Sequence, residues 1–255
     1  VSSGDQSKIR SPSAPAPVPA DIGIVAALPI EVGDFIRRLT ERRIYHAAGI
    51  RVTEGWCHDR LVCVITPGIG RTAARKGAER LLAGHHPRWL ISTGFAGALD
   101  PTLRLGDVIL PTEVLDPEHR RLSIGLDFEP TASVRAGRVI TVDQVIRTAA
   151  EKQKLREHTG ADLVDMETAE LAELAAARQI RFLAVRVISD TADQELPPEV
   201  ISILGPSGAF RLGVAIGAIA RRPKSLGTML HLREIAHNAA HRLAQSLAQV
   251  IAQLG

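Results

Sequence analysis

Between Val164 and Asp193 the chain reads VDMETAELAELAAARQIRFLAVRVISDTAD, which sets acids at a helix start and another acid just past an apolar strand. Carboxylates held that way can flank a bound substrate and exchange protons with it. Arg186 lies inside the apolar run, and a guanidinium there needs a partner because an unpaired buried charge costs several kcal/mol. Asp190 and Glu167 are the candidate partners, since Arg forks onto carboxylates with good geometry. Ligands of open α/β sheets gather at the carboxyl ends of strands, where Ser189 and Asp190 stand. The competing reading is a surface-pointing Arg186 followed by a turn-forming Ser-Asp pair.

The elements that position these residues are read from periodicity. Leu171, Leu174, Ala175 and Arg178 follow the 3.6-residue repeat among strong helix formers, with Asp165 as N-cap. Phe182 to Ile188 is apolar and partly β-branched, as a strand covered on both faces should be. IGIVAALPIEVGDFIRRL predicts a buried strand from Ile22 to Ala27, a turn at Pro29 and a helix from about Glu31. Glu31 therefore also stands near a helix N-terminus at a strand's carboxyl end. RVTEGWCHD and RLVCVITPG suggest two more strands, and PGIGRTAA opens a helix carrying Ala74, Ala78 and Leu82. Gly68 and Gly70 permit close backbone approach, and free helix amides favour an anion, which makes Gly70 and Arg71 candidate anion ligands. The loop matches neither the P-loop nor the GxGxxG fingerprint. Trp89 to Thr93 is a further short strand, followed by a loop in which Gly94 and Gly97 flank Phe95 and Ala96. Such a loop lets backbone atoms and one ring touch a planar ligand; an ordinary glycine turn is the alternative. With strands at Val108 to Leu110 and Val139 to Thr141, the pattern predicts an α/β fold: a single three-layer domain with a central, mostly parallel twisted sheet flanked by helices.

Bulk properties bound the reading. A chain of 255 residues with 45% hydrophobic content can bury one substantial core. The first twenty residues, with SPSAPAPVPA, are expected to be a disordered tail, neither signal peptide nor membrane span, ahead of one domain over 21–255. Net charge is +3 with a pI near 9.2, but basic residues are scattered and aromatics are only 3%, which argues against nucleic-acid stacking platforms. Arg71, Arg75, Lys76 and Arg80 have the spacing of a solvated helix face. Cys57 and Cys63 lack a CxxC motif or export signal and read as reduced core residues. His237 and His241 lie one helical turn apart without the HExxH glutamate, so no metal is expected.

IGIVAALPIEV, PGIGRTAA, STGFAGALDPTLRLGDVI, VDMETAEL and VRVISDTAD, in that order from Asp21 to Asp193, resemble the purine nucleoside phosphorylase and nucleosidase superfamily. The resemblance is greatest to its methylthioadenosine/S-adenosylhomocysteine nucleosidase branch. It implies a nucleoside phosphorylase-like fold and cleavage of an N-glycosidic bond, with no cofactor; phosphate would be a co-substrate only in a phosphorolytic member. It implies that Asp190 protonates the imidazole-ring nitrogen of the departing purine, with Ser189 placing it. Glu167 would grip the ribose hydroxyls, Met166 would lie against the sugar, Glu31 would orient and deprotonate the attacking water, and Arg186 would fix the cluster. Phe95 stands where the nucleosidase pattern has a small polar residue, near the backbone of Gly97, and Asp165 replaces the customary Glu. The segment from Val114 to Val164 is short, so no base contacts are assigned there. Hexameric phosphorylases carry a glycine-and-arginine loop after the first strand; here the place reads AALPIEV, and a carboxylate repels phosphate while activating water.

From Gln194 onward, with RLGVAIGAIARRPKSL, the chain resembles the hopanoid-associated phosphorylase group, which makes adenosylhopane a rival substrate to methylthioadenosine and S-adenosylhomocysteine. The apolar run Ala209 to Ala220, interrupted by Arg211, is too short to span a bilayer. It reads either as lining for a lipid tail or a membrane-surface contact beside Arg221, Arg222 and Lys224, or as a buried or dimer-contact helix. A last helix, roughly Leu230 to Leu254, has an apolar stripe suited to closing the sheet. The expected protein is thus an adenosyl-nucleoside hydrolase releasing adenine, cytoplasmic or peripheral to the inner face of the membrane, and a homo-oligomer. Phosphorolysis is the rival chemistry, and a noncatalytic nucleoside-binding protein the rival class.

Overall fold

The computed structural model describes residues 19–47, 49–124, 134–197 and 225–254. In chain order these form β1 (Ile22–Ala26), α1 (Pro29–Arg38), β2 (Thr40–Ala47), β3 (Ile50–Cys57), β4 (Arg60–Ile65) and α2 (Arg71–His85). There follow β5 (Trp89–Ala98), β6 (Val108–Leu115), β7 (Arg121–Ser123), β8 (Val134–Thr141), α3 (Ala149–Thr159), β9 (Leu163–Asp165), α4 (Thr168–Ala177), β10 (Arg181–Asp190) and α5 (Ser225–Gln253).

Every residue of β1 is buried because it pairs in parallel with β4 on one side and β5 on the other, while helices cover both faces. Ile22, Ile24 and Ala26 pack with Val32 and Phe35 of α1 and Leu243, Leu247 and Ile251 of α5. Val25 points the other way, into a cluster with Ala74, Ala78 and Leu82 of α2 and Leu171 and Leu174 of α4. The α/β layering and the role of the last helix agree with the sequence reading.

The pairing is more mixed than uninterrupted apolar runs imply. β2, β3 and β4 form an antiparallel run, since only His58 and Asp59 separate β3 from β4 and a two-residue connection can join only antiparallel strands. The other end of the sheet curls: β5, β10, β6, β8 and β9 pair in succession and β9 returns to β5, closing a ring. That closure corrects one local expectation. The GFAGA segment after Thr93 is not a loop but the second half of β5, because β10 runs beside it as far as Gly97 and β9 meets it at Gly97 and Ala98. β2 escapes the sequence reading since TERRIYHA is a charged, largely exposed edge strand with no apolar alternation.

Of the polar tail expected over the first twenty residues, 1–18 lie outside the described residues. Ala20 already belongs to the domain: it is buried, and its N–H donates to the His85 carbonyl at 2.9 Å. The apolar run Ala209 to Ala220 and the basic residues after it also lie outside the described residues. No described helix is long and apolar enough to cross a membrane.

Candidate active site

Arg186 is 1% exposed at the centre of β10, and it does not choose either expected partner. Its Nε and Nη2 donate to Asp165 Oδ2 at 2.9 and 2.7 Å, Nη2 to Ser92 Oγ at 2.6 Å and Thr168 Oγ1 at 2.7 Å, and Nη1 to the Val185 carbonyl at 3.2 Å. The reason is spacing: Asp190 lies four residues along the same strand, roughly 13 Å of extended chain, whereas β9 brings Asp165 to the guanidinium. Asp165 also accepts from Thr141 Oγ1 at 2.7 Å and from the Thr168 N–H at 3.0 Å. It ends a strand rather than capping the helix at its own position; the residue that precedes α4 is Glu167.

Glu31 sits in the first turn of α1, the turn that Pro29 opens. Its Oε2 accepts the Leu28 N–H at 2.7 Å and its Oε1 the Phe95 N–H at 2.9 Å. A Cβ at Gly94 would come within 2.6 Å of Oε1, so a side chain there would push this carboxylate from its place over β5. Burial pushes the Glu31 carboxyl above the usual range, opposed by the two N–H bonds and by the charge of Arg186. Each oxygen has a lone pair beyond the one already used, so Glu31 can still receive a proton.

Glu167 is half-buried, and its Oε1 accepts the Gly70 N–H at 2.7 Å. Burial, and after it the negative charge of Asp165, push its carboxyl up to about 8, with Glu31 contributing in the same direction. The pH window follows. Below the ordinary value of 4.5 the side chain is neutral whether the chain is folded or not, so its contribution to stability is intact. As pH rises toward 8 the unfolded chain ionises while the fold resists, and stability falls. Glu167→Gln, which keeps an acceptor for Gly70, is therefore expected to melt about 5 °C above the wild type at pH 8, on the order of 2 kcal/mol. Solvent screening of the half-buried group keeps this below the full linkage value. Thermal melts should converge at pH 4.5; a constant offset at both pH values would disprove the assignment.

Asp190 ends β10, 5% exposed. The β5–β10 register sets it opposite Gly97, where a Cβ would lie 3.0 Å from its Oδ2 and 3.2 Å from Val164. Ser189 Oγ lies 2.8 Å from Asp190 Oδ1 and 3.3 Å from the Ala96 carbonyl, able to donate to either. On the other side stands Lys152 of α3, fully buried, its Nζ donating to Asp190 Oδ2 at 2.6 Å. The sequence reading missed this residue because AAEKQKL looks like a solvated helical run. A capping box between Thr148 and Glu151 fixes the helix start, which explains the helix but not the buried lysine.

The remaining candidates fall around this centre. The Phe95 ring packs partly into the core beneath α1 and α5, so it is the Phe95 N–H, not the ring, that meets Glu31. Met166 is half-buried between Asp165 and Glu167. The Gly70 N–H is engaged by Glu167, and Arg71 pairs with Asp143 at 3.1 Å; an anion there would have to displace two carboxylates. His241 pairs with Asp34 and Gln245 on the surface, and no group of metal-binding side chains occurs among the described residues. Cys57 and Cys63 are free and buried.

A protein-family model described as the phosphorylase superfamily matches residues 21–132 and 125–203. The 5'-methylthioadenosine/S-adenosylhomocysteine nucleosidase of Haemophilus ducreyi is 28% identical over 199 residues, 68% of this chain and 86% of that protein. Among solved structures, the corresponding nucleosidase of Neisseria meningitidis in complex with methylthio-immucillin-A superposes with a TM-score of 0.71 at 18% identity, covering 91% of this chain and 99% of that one. A futalosine hydrolase mutant from Helicobacter pylori gives 0.65 at 16% identity, over 91% and 99%.

Proposed function

Because the chain belongs to the phosphorylase superfamily, we propose that it is a hydrolytic N-glycosidase that releases adenine from an adenosyl nucleoside, with 5'-methylthioadenosine and S-adenosylhomocysteine as the first substrates to test. The observation that carries this reading is the gathering of Glu31, Glu167 and Asp190 around the closed end of the sheet, with Glu31 held by the backbone N–H groups of Leu28 and Phe95.

Asp190 gives its proton to the imidazole-ring nitrogen as the glycosidic bond breaks and the electron pair passes to the base. Adenine then leaves neutral. The ribosyl group turns cationic, and Glu167, accepting hydrogen bonds from the ribose hydroxyls, sets its carboxyl oxygens against that charge. Water held by Glu31 attacks the anomeric carbon and gives up its proton to that carboxylate, whose burial makes it a stronger base than a solvated glutamate. Arg186 does not touch the reacting atoms in this scheme. It neutralises Asp165 and so lets Glu31 and Glu167 stand close to a third acid.

Water rather than phosphate is the nucleophile, since Glu31 occupies the place after β1, where a carboxylate repels phosphate and activates water, and the Gly70 N–H already donates to Glu167. Adenine release from methylthioadenosine is expected at the same rate with and without phosphate, and Glu31→Gln should lower it by about 100-fold or more. Strict phosphate dependence would convert the reading to a phosphorylase. No adenine from either nucleoside, or from a lipid-linked adenosine of the kind suggested by the C-terminal third, would end it.

A further inference from the structure

Among the described residues, Lys152 is a buried charge at this site that the scheme above does not use. Its neighbours Glu151, Gln153 and Lys154 on α3 are exposed, whereas Lys152 is fully enclosed. All three ammonium hydrogens have acceptors: Asp190 Oδ2 at 2.6 Å, the Thr191 carbonyl at 2.7 Å and the Gln194 carbonyl at 3.0 Å. The cation therefore ties α3 to the end of β10 and to the chain just beyond it. Stability alone does not call for it, because a buried ion pair contributes no more than a well-packed apolar residue and often less.

We propose that Lys152 is the positioning residue of the proton-transfer step, an inference that rests on the nucleosidase reading and on Asp190 as its acid. A carboxylic acid has one oxygen that carries hydrogen and one that accepts strongly. With an ammonium fixed on Oδ2, Oδ2 is the accepting oxygen, and a proton that Asp190 carries for transfer has its place on Oδ1. Ser189 completes the arrangement. When Oδ1 carries the proton, the Ser189 hydroxyl turns its hydrogen to the Ala96 carbonyl. When the proton has gone to the base, it turns back to donate to Oδ1. The ammonium meanwhile offsets the negative charge that appears on Asp190, so its benefit grows as the base departs. The balance is closed: the glycosidic electron pair goes to the purine, the Oδ1 proton joins it, and Lys152 neither gains nor loses a proton.

The test uses two leaving groups. Adenine needs protonation to depart, whereas p-nitrophenolate leaves as a stable anion. Lys152→Met and Lys152→Gln are assayed on methylthioadenosine and on p-nitrophenyl β-D-ribofuranoside, beside Asp190→Asn and the Asp190→Asn/Lys152→Met double variant. Expected is a loss of about 100-fold in kcat/KM for adenine release, with p-nitrophenol release within about 3-fold of wild type. In the Asp190→Asn background, Lys152→Met should cost no more than about 3-fold further on methylthioadenosine. Parallel loss on both substrates, full retention of adenine release, or multiplicative losses in the double variant would each overturn the proposal. Failure of the underlying reading looks different: wild type releasing no adenine, or Asp190→Asn releasing it at the wild-type rate.

Discussion

Asp190→Asn is expected to lower kcat/KM for adenine release by about 10³-fold while leaving the protein folded. Asparagine fits the same volume and offers Lys152 an amide oxygen in place of Oδ2, so the contacts from α3 and Ser189 persist in shape. It cannot supply a proton, and adenine must then leave as an anion. The loss should fall on kcat more than on KM, since protonation develops only as the bond breaks. Steady-state assays with melting curves measure both quantities. Wild-type turnover by a folded Asp190→Asn protein would remove Asp190 from the chemistry and leave the position of the acid to be sought elsewhere.

Arg186→Met is expected to produce the largest loss of stability at the site, about 3–5 kcal/mol, a large share of the roughly 5–15 kcal/mol available to a domain. The methionine fills the space under β5, but it leaves Asp165 charged and buried with only hydroxyl and amide donors from Thr141 and Thr168. Ser92 loses its partner as well. Adding Asp165→Asn removes the stranded charge, so the double variant should recover at least half of the lost stability in denaturant melts. If it melts no later than Arg186→Met alone, pairing with Asp165 is not what holds Arg186 in place. Activity should fall in both variants, because β9 carries Asp165 and leads directly into Met166 and Glu167.

Much of the site was legible before any coordinates. Glu31 follows an apolar strand and a helix-opening proline, and Asp190 follows another such strand, so their places at carboxyl ends came from pattern alone. The partner of Arg186 did not. Sequence proximity pointed to Asp190 and Glu167, but a strand carries residues away from one another while a sheet brings distant strands together, and β9 delivered Asp165. Lys152 was missed for a related reason: a helix with polar residues all round gives no periodic sign of which one turns inward.

What the sequence determined by itself was the set of chemical groups and the elements that carry them, since periodicity, proline placement and helix propensity act over a few residues. What only the tertiary structure decided was which groups meet. The closure of β5, β10, β6, β8 and β9 into a ring sets the registers that place Gly97 against Asp190 and Gly94 beneath Glu31. Lys152 of α3 meets the end of β10, so that one ammonium and one guanidinium each pair with one aspartate. Charge pairing in a desolvated interior depends on distances of a few ångströms between segments far apart in the chain, and those distances are a property of the packed sheet.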